Sequence, residues 1–185
     1  MVQDGDGDGT PEIQGTNYTG ISGAPVDPAN PSITRDKGDS GNAAGQISLG
    51  GVFIRQRGIT VADVHDGTSN TMMVAEQSGW GMTSDGQQID IRSDCGHGFS
   101  MGYGADSMDR DFNITCVVHP VGETSYNATG VAGNCGPNRP IQSAHSGGAM
   151  ILMTDGSVRF LSQGVNIQTL YNLANRDDGK VVTDF

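Results

Sequence analysis

The chain has 185 residues, enough for one domain with its own hydrophobic core, and its 29 glycines and 7 prolines indicate many turns and short elements. Ten Lys and Arg against 21 Asp and Glu give a formal net charge of −11, which argues against a nucleic-acid partner because phosphate binding requires a basic surface. The same acidity is compatible with divalent cations and with solubility.

An acidic leader occupies residues 1–14 and alternates aspartates with glycines. Five of its residues are candidate ligands for a metal ion: Asp4, Asp6, Asp8, Thr10 and Glu12. Calcium takes about six to eight oxygen ligands, and the Asp-Gly alternation lets a tight loop turn several carboxylates and a carbonyl toward one ion. The spacing resembles the calcium loops of dockerins and thrombospondin type-3 repeats, although Gly15 stands where an EF-hand has its bidentate Glu. The pattern favours a calcium loop over the alternative, a disordered acidic stub.

Short elements and long loops are expected in the first half of the remaining chain. Residues 24–51 show no helical or strand period and are predicted to form a long surface loop. Residues 52–54 are predicted to form a short strand, which 59–62 either continue or follow with a new element. Residues 66–70 form a predicted turn because their side chains can bond their own backbone. Residues 71–76 are predicted to be a buried strand that ends in a carboxylate.

Loops also dominate the next segment of the chain. Residues 79–113 are predicted to be mostly irregular, with an edge strand over 88–92 where polar and apolar residues alternate. Residues 113–119 are rich in β-branched side chains and are predicted to form a strand. A second long loop is expected over 120–140.

The clearest structural signal is a β-hairpin centred on Asp155-Gly156. Runs rich in β-branched and aromatic residues flank this dipeptide, which predicts a type I′ turn. Both faces of the first arm are largely apolar, so this arm belongs in the middle of a sheet or under a helix. On the return arm Ser157, Arg159 and Ser162 indicate one polar face.

A helix is predicted after the hairpin, with Asn166 as its N-cap and Asn175 near its end. Four residues form its expected apolar stripe: Ile167, Leu170, Tyr171 and Ala174. Gly179 is expected to end the helix, and 180–183 to form a last strand or a packed tail. Together the elements predict an α+β fold, a mostly antiparallel β-sheet with long Gly/Pro-rich loops and one C-terminal helix.

Two blocks of this sequence stand out, His145-Ser-Gly-Gly-Ala followed by 154–161, and 51–55 followed by 59–76. The first is similar to the closing signature, and the second resembles the central motif, of a large family of planctomycete secreted proteins of unknown function. Residues 15–23 and 140–145 match smaller blocks. The family has a prepilin-type N-terminal methylation segment, so the resemblance implies a single pilin-like domain over the rest of the chain, displayed at the cell surface, in the periplasm or outside the cell.

The resemblance also implies how such a domain is held. Type IV pilins and the pseudopilins of type II secretion carry an apolar N-terminal helix, whereas no run of about eighteen apolar residues occurs in this sequence. We therefore expect this chain, with a leader over 1–14 and one domain over 15–185, to be the soluble part of a longer or processed precursor. Any membrane attachment is expected to require the absent helix.

Three cysteines, Cys95, Cys116 and Cys135, leave one thiol over if a disulfide forms in an exported protein. A Cys116–Cys135 disulfide is favoured because it closes a modest loop, worth roughly 3 kcal/mol by loop-closure entropy. Pairing of Cys95 with either of the others is the alternative.

Few residues indicate catalysis. Glu76 ends a buried strand and His145 precedes a glycine pair, but no nucleophile and base are spaced together, so structural roles are favoured for both. Glu76 is expected to cap or brace backbone, and the His145 imidazole to bond a neighbouring backbone group.

The predicted function is a non-catalytic, pilin- or pseudopilin-like structural subunit of a surface filament or secretion apparatus, whose partners are further copies or other pilin-like subunits. The first alternative is a calcium-dependent binding module for a glycan or surface component. The second is a hydrolase that uses Glu76 or His145.

Overall fold

The computed structural model describes residues 2–3, 13–14, 16–27, 30–39, 45–54, 57–78, 81–92, 102–103, 111–131, 136–182 and 185. In chain order the strands are β1 (Val2–Gln3), β2 (Ile13–Gln14), β3 (Tyr18–Gly23), β4 (Val26–Asp27), β5 (Asn30–Thr34), β6 (Asp36–Asp39), β7 (Gln46–Ser48), β8 (Met72–Glu76), β9 (Gly81–Met82), β10 (Gln88–Ile89), β11 (Gly102–Tyr103), β12 (Asp111–Phe112), β13 (Ile114–Cys116), β14 (Gly148–Met153) and β15 (Val158–Ser162). The α-helix α1 spans Ile167–Ala174, and a 3₁₀ turn spans Val61–Asp63.

A five-stranded sheet with the order β13-β3-β8-β14-β15 forms the centre of the molecule. Its pairings are antiparallel except for the parallel contact between β13 and β3. The predicted α+β class, a mostly antiparallel sheet with one helix, is therefore confirmed. The predicted strand over 71–76 is β8 at the middle of the sheet, and the strand predicted over 113–119 is the shorter β13.

The inner face of the sheet carries the hydrophobic core. Because side chains alternate across a strand, Ile21, Ala75 and Ile151 lie on this one face. Helix α1 packs over it with three buried side chains: Leu170, Leu173 and Ala174. Burial of this apolar area is the main favourable term in the stability of the fold.

The outer face of the sheet is defined here by seven side chains of the opposite alternation: Tyr18, Val74, Glu76, Met150, Leu152, Val158 and Phe160. The ring of Phe53 covers this face at Gly20, where an added Cβ would lie 3.0 Å from the ring. The loop holding that ring is fixed by the Phe53 N–H, which donates to the Ile21 carbonyl at 3.0 Å. Residues 52–54 were predicted to be a strand, which is wrong, since they bond the end of β3 as a bend.

The hairpin β14–β15 is confirmed, but its turn type differs from the prediction. A type I′ turn needs positive φ at Asp155, whereas only Gly156, at φ 87°, has a positive φ in this turn. The Gly156 N–H donates to the Met153 carbonyl at 3.0 Å, and the Met153 N–H donates to the Ser157 carbonyl at 2.9 Å. This is a type I turn followed by a glycine bulge, the usual three-residue hairpin loop.

The return arm β15 presents two apolar side chains and that of Ser162 to solvent. Val158 is 61% exposed and Phe160 is 45% exposed. Arg159, predicted to lie on a polar face, faces the inner side and holds its guanidinium carbon 5.4 Å from the centre of the Phe185 ring. The predicted single polar face is therefore wrong for this arm, since Ser162 is exposed as expected but shares its face with Val158 and Phe160.

Helix α1 begins as predicted. The Asn166 side chain accepts a hydrogen bond from the Gln168 N–H at 2.8 Å, which satisfies one free donor of the first turn. The helix ends at Ala174 with Asn175 as its extended C-cap, before Gly179. The predicted stripe is rotated, because Leu173 is buried and Ile167 is 38% exposed.

Several loops differ from their predictions. The described parts of 24–51 contain the short hairpins β4–β5 and β6–β7, whose strands are too short to show a period. Residues 59–62 lead into and begin the 3₁₀ turn, so they form a new element. The Asp63 carboxylate accepts from the Thr60 N–H at 2.9 Å and closes a capping box at its start. In 88–92 only β10 pairs as a strand, and the described parts of 120–140 are turns, as predicted. Val182 packs on the core as a tail.

A buried polar clasp joins the turn at 66–70 to the segment after α1. Asp66 is 6% exposed, and its two carboxylate oxygens accept from the N–H groups of Asp178 and Gly179 at 2.8 and 2.9 Å. Arg176 donates to the carbonyls of Leu49 and Gly51 at 2.6 and 2.7 Å. The clasp therefore fixes three distant chain segments at one end of the core.

Candidate functional site

Glu76 and His145, the two candidates for catalysis, lie close together. Glu76 ends β8 opposite Tyr18 of β3, and one of its oxygens, Oε2, accepts from the Met150 N–H of β14 at 2.8 Å. Its other oxygen, Oε1, lies 3.5 Å from His145 Nε2. The carboxylate thus braces the start of β14, which is the structural role predicted for it.

The environments of the two groups differ. The Glu76 side chain is 15% exposed, whereas the His145 side chain is 62% exposed. The imidazole was expected to bond backbone, but in the described part of the chain its contact is with the Glu76 carboxylate. An ion pair with so exposed a histidine contributes little to stability. The Ser143 hydroxyl accepts from the His145 backbone N–H at 3.3 Å, and among the described residues no hydroxyl or thiol is hydrogen-bonded to the Glu76 carboxylate or the His145 imidazole.

A polar depression of about 200 Å³ lies on one side of Glu76. Its lining consists of Asn17, Tyr18, Glu76, Ser78, Gln142, Ser143 and Ala144. Backbone bonds hold the wall in place, since Gln142 N–H donates to the Glu76 carbonyl at 3.1 Å and Ser78 N–H donates to the Gln142 carbonyl at 3.0 Å. Tyr18, which is 52% exposed, supplies the aromatic side of this depression.

The ion pair of Arg92 and Asp90 lies next to Asn17, which lines the polar depression. Arg92 is buried and donates to both carboxylate oxygens of Asp90, and its Nη1 also donates to Asn17 Oδ1 at 2.8 Å. Burial alone would raise the pKa of Asp90, but the hydrogen bonds from Arg92 outweigh it and hold this pKa below its usual value. The Asn17 side chain is thereby fixed at the rim.

An apolar depression of about 430 Å³ shares Tyr18 and Glu76 with the polar depression. Its lining consists of Tyr18, Val74, Glu76, Met150, Ile151, Leu152 and Val158. All but Ile151 belong to the outer face of the sheet. This surface was not predicted from the sequence, although the alternation of Val158 and Phe160 along β15 indicates an apolar face on that side. Which face would remain exposed depended on where α1 packs.

The predicted calcium ligands Asp4, Asp6, Asp8, Thr10 and Glu12 lie outside the described residues. The segment that contains them is flanked by β1 and β2, which pair Val2 with Gln14 and Gln3 with Ile13. Within the part of the chain that the structure describes, no group of three or more His, Cys, Asp or Glu side chains could hold a metal ion. Calcium binding therefore stays a prediction.

The predicted disulfide involves Cys116, which lies in β13 and is 1% exposed. Cys95 and Cys135 lie outside the described residues. The Cys116 N–H donates to the Pro137 carbonyl at 2.8 Å, which brings the chain two residues beyond Cys135 against Cys116. The Cys116–Cys135 pairing stays a prediction.

Comparison with known proteins gave one match. A family model described as "Protein of unknown function (DUF1559)" matches residues 11–168, which include β3, β8 and the hairpin β14–β15. No match was found among curated proteins or among solved structures. The helix that the structure describes is too short and too polar to cross a membrane.

Proposed function

Because the chain belongs to the family described as "Protein of unknown function (DUF1559)", a description without an activity, we propose a function from the outer face of the sheet. The chain is a non-catalytic structural subunit, pilin- or pseudopilin-like, of a filament or secretion apparatus outside the cytoplasm. The observation that carries this proposal is the apolar, partly exposed outer face. Its docking partner is an apolar helix of the assembly.

The two faces of the sheet support this assignment. An antiparallel sheet with one face on the core normally presents polar side chains on the other. Here Tyr18, Val158 and Phe160 are each between 45% and 61% exposed. Exposed apolar patches of this kind mark interaction surfaces. Since α1 already occupies the inner face, the outer face is the one available to a second helix. The charged Glu76 lies at the rim of the outer face and marks where the apolar contact with that helix ends.

Site-specific photo-crosslinking in the native cell tests the proposal. A photoreactive phenylalanine at Leu152 should crosslink to pilin-like subunits of the envelope, whereas one at Val61, 74% exposed and outside the outer face, should not. Leu152→Lys should abolish assembly while purified domain keeps its cooperative melt, since a charge on this face opposes apolar docking. Normal assembly of a folded Leu152→Lys variant would refute the proposal.

A second candidate function is a calcium-dependent binding module for a glycan or surface component. The ladder between β1 and β2 favours it, because it flanks the Asp-Gly segment on both sides. The polar depression beside Tyr18 offers an aromatic ring and amides to a saccharide. Calorimetric calcium titration with thermal melting tests it. Binding should raise the melting temperature, and combined Asp6→Ala and Asp8→Ala should remove both effects. Absence of heat and of a shift would refute it.

A hydrolase remains the third candidate because Glu76 and His145 lie 3.5 Å apart. A turnover screen against ester, amide and glycoside substrates tests this assignment. If the pair is catalytic, Glu76→Gln and His145→Ala should each lower turnover by about 100-fold, the usual scale of acid–base catalysis. Unchanged turnover in both variants would remove the candidate.

A further inference from the structure

Within the described residues, the central sheet has one covered edge and one open edge. At the edge strand β13, the Thr115 hydroxyl donates to the Arg139 carbonyl at 2.7 Å, and Asn138 Nδ2 donates to the Cys116 carbonyl at 3.1 Å. Segment 137–139 therefore covers that edge. At the opposite end β15 pairs with β14, and no other strand of the described residues pairs with it.

The backbone groups that point outward from β15 follow from its register. The Gln163 N–H donates to the Gly147 carbonyl at 2.7 Å, and hydrogen-bonded pairs recur at every second residue of an antiparallel ladder. Leu161 and Arg159 therefore direct their backbone groups toward β14. Phe160, and the residue two positions before it, direct theirs away from the sheet. These outward groups define the open edge.

The open edge lacks the usual protection against strand pairing. Native edges carry lysine, proline, bulges or inward-pointing charges. Here the side chains beside the outward backbone groups are Val158 and Phe160, both exposed and apolar, and the exposed, uncharged Ser162. The one charged residue of β15, Arg159, lies over the Phe185 ring on the inner side. An unprotected edge of this kind fits a partner strand.

We propose that the open edge of β15 pairs antiparallel with the open edge of a second copy of this chain. The distribution of charge favours a second copy. Residues 156–175 contain no Asp or Glu and one Arg, in a chain with 21 acidic residues. Two such edges can therefore approach without bringing carboxylates together, although the chain as a whole has a formal net charge of −11.

Two-fold antiparallel pairing centred on Phe160 brings the outward backbone groups of the two β15 strands opposite one another. It sets Phe160 opposite Phe160 of the second copy, a pair that exchanges two backbone bonds, and Val158 opposite Ser162, whose carbonyl also accepts from the Val165 N–H of its own chain at 3.1 Å. The Asp155 carboxylates then lie at opposite ends of the new ladder. The outer faces of the two copies join into one larger apolar surface. This pairing goes beyond the proposed subunit function and does not depend on helix docking.

Sedimentation equilibrium of the purified chain with a matched pair of variants tests the pairing. Val158 and Val181 are both 61% exposed, and Val181 lies outside the sheet. The unmodified chain should form dimers, and Val158→Lys should weaken the dimer at least about tenfold because it sets a charge on the open edge. Val181→Lys should leave the dissociation constant within about twofold. Thermal melting confirms that both variants fold.

Amide hydrogen exchange reports on the backbone hydrogen bonds of β15. Docking of a helix on the outer face would not change the protection of these amides. The amides of Val158 and Phe160 should become protected as protein concentration rises through the dimerisation range. The amides of Arg159 and Leu161 should be protected throughout, since they bond β14. A chain that stays monomeric up to about 1 mM, where even weak association is populated, would overturn the proposal. So would a dimer in which the Val158 and Phe160 amides exchange freely.

Discussion

The carboxylate of Asp66 should be one of the most sensitive polar groups of this fold. Both of its oxygens accept backbone N–H groups, from Asp178 at 2.8 Å and from Gly179 at 2.9 Å. Hydrogen bonds to a charged group contribute about 1.5–3 kcal/mol each. Asp66→Asn keeps one acceptor oxygen and sets an amide against the other N–H, so it should cost about 2 kcal/mol. Asp66→Ala removes both acceptors and should cost about 4 kcal/mol.

Urea unfolding followed by circular dichroism measures these losses. For a chain of this size, 1 kcal/mol corresponds to about 2–4 °C in melting temperature, so Asp66→Asn should melt about 4–8 °C lower. Asp155→Asn is the matched control, because the Asp155 carboxylate is exposed and accepts from the Ser157 N–H at 2.8 Å without being buried. If the two Asn variants lose equal stability, the reasoning about the buried clasp is refuted.

Three further predictions concern the Glu76 carboxylate, the titration of Asp90 and the Cys116–Cys135 disulfide. Glu76→Ala should destabilise by about 1–3 kcal/mol, because it leaves the Met150 N–H without its acceptor, whereas Glu76→Gln should cost about half as much in the same unfolding assay. The pKa of Asp90 is lowered in the fold, so its stabilising effect is present above the unfolded value near 3.8 and is lost as pH falls through the folded pKa. Asp90→Asn should therefore flatten the dependence of unfolding free energy on pH below about 4; an unchanged slope would contradict the assignment. Mass spectrometry of a non-reduced digest should find Cys116 linked to Cys135, and a Cys95 linkage in its place would contradict the prediction.

Local sequence patterns were enough to predict those helices and strands whose apolar repeat, turn or cap extends over several residues. The strand β8, the hairpin β14–β15 and helix α1 with its Asn166 cap were expected from apolar runs, an Asp-Gly turn and an N-cap. The short strands β4 to β7 were not expected, because two to five residues carry too little periodicity. The type I turn at Asp155 was missed for a similar reason, since Asp-Gly fits both turn types.

The candidate site was predicted only in its parts. Glu76 and His145 were each recognised by residue type, but their 3.5 Å approach depends on β8 and β14 being neighbours in the sheet. Tyr18 joins them for the same reason, through the pairing of β3 with β8. Strand order is a property of contacts between distant segments, so no local window contains it.

The amino-acid sequence alone was sufficient to establish the α+β class, the hairpin, the helix and the acidity of this protein, because periodicity, caps and charge are properties of short segments and of composition. The tertiary structure established which strands are neighbours, which face α1 covers and which edge stays open. The alternation of apolar side chains along β15 is present in the sequence whichever face of the sheet α1 covers. Whether Val158 and Phe160 face a core or solvent is set by the packing of α1 on the inner face, and packing depends on residues far away in the chain.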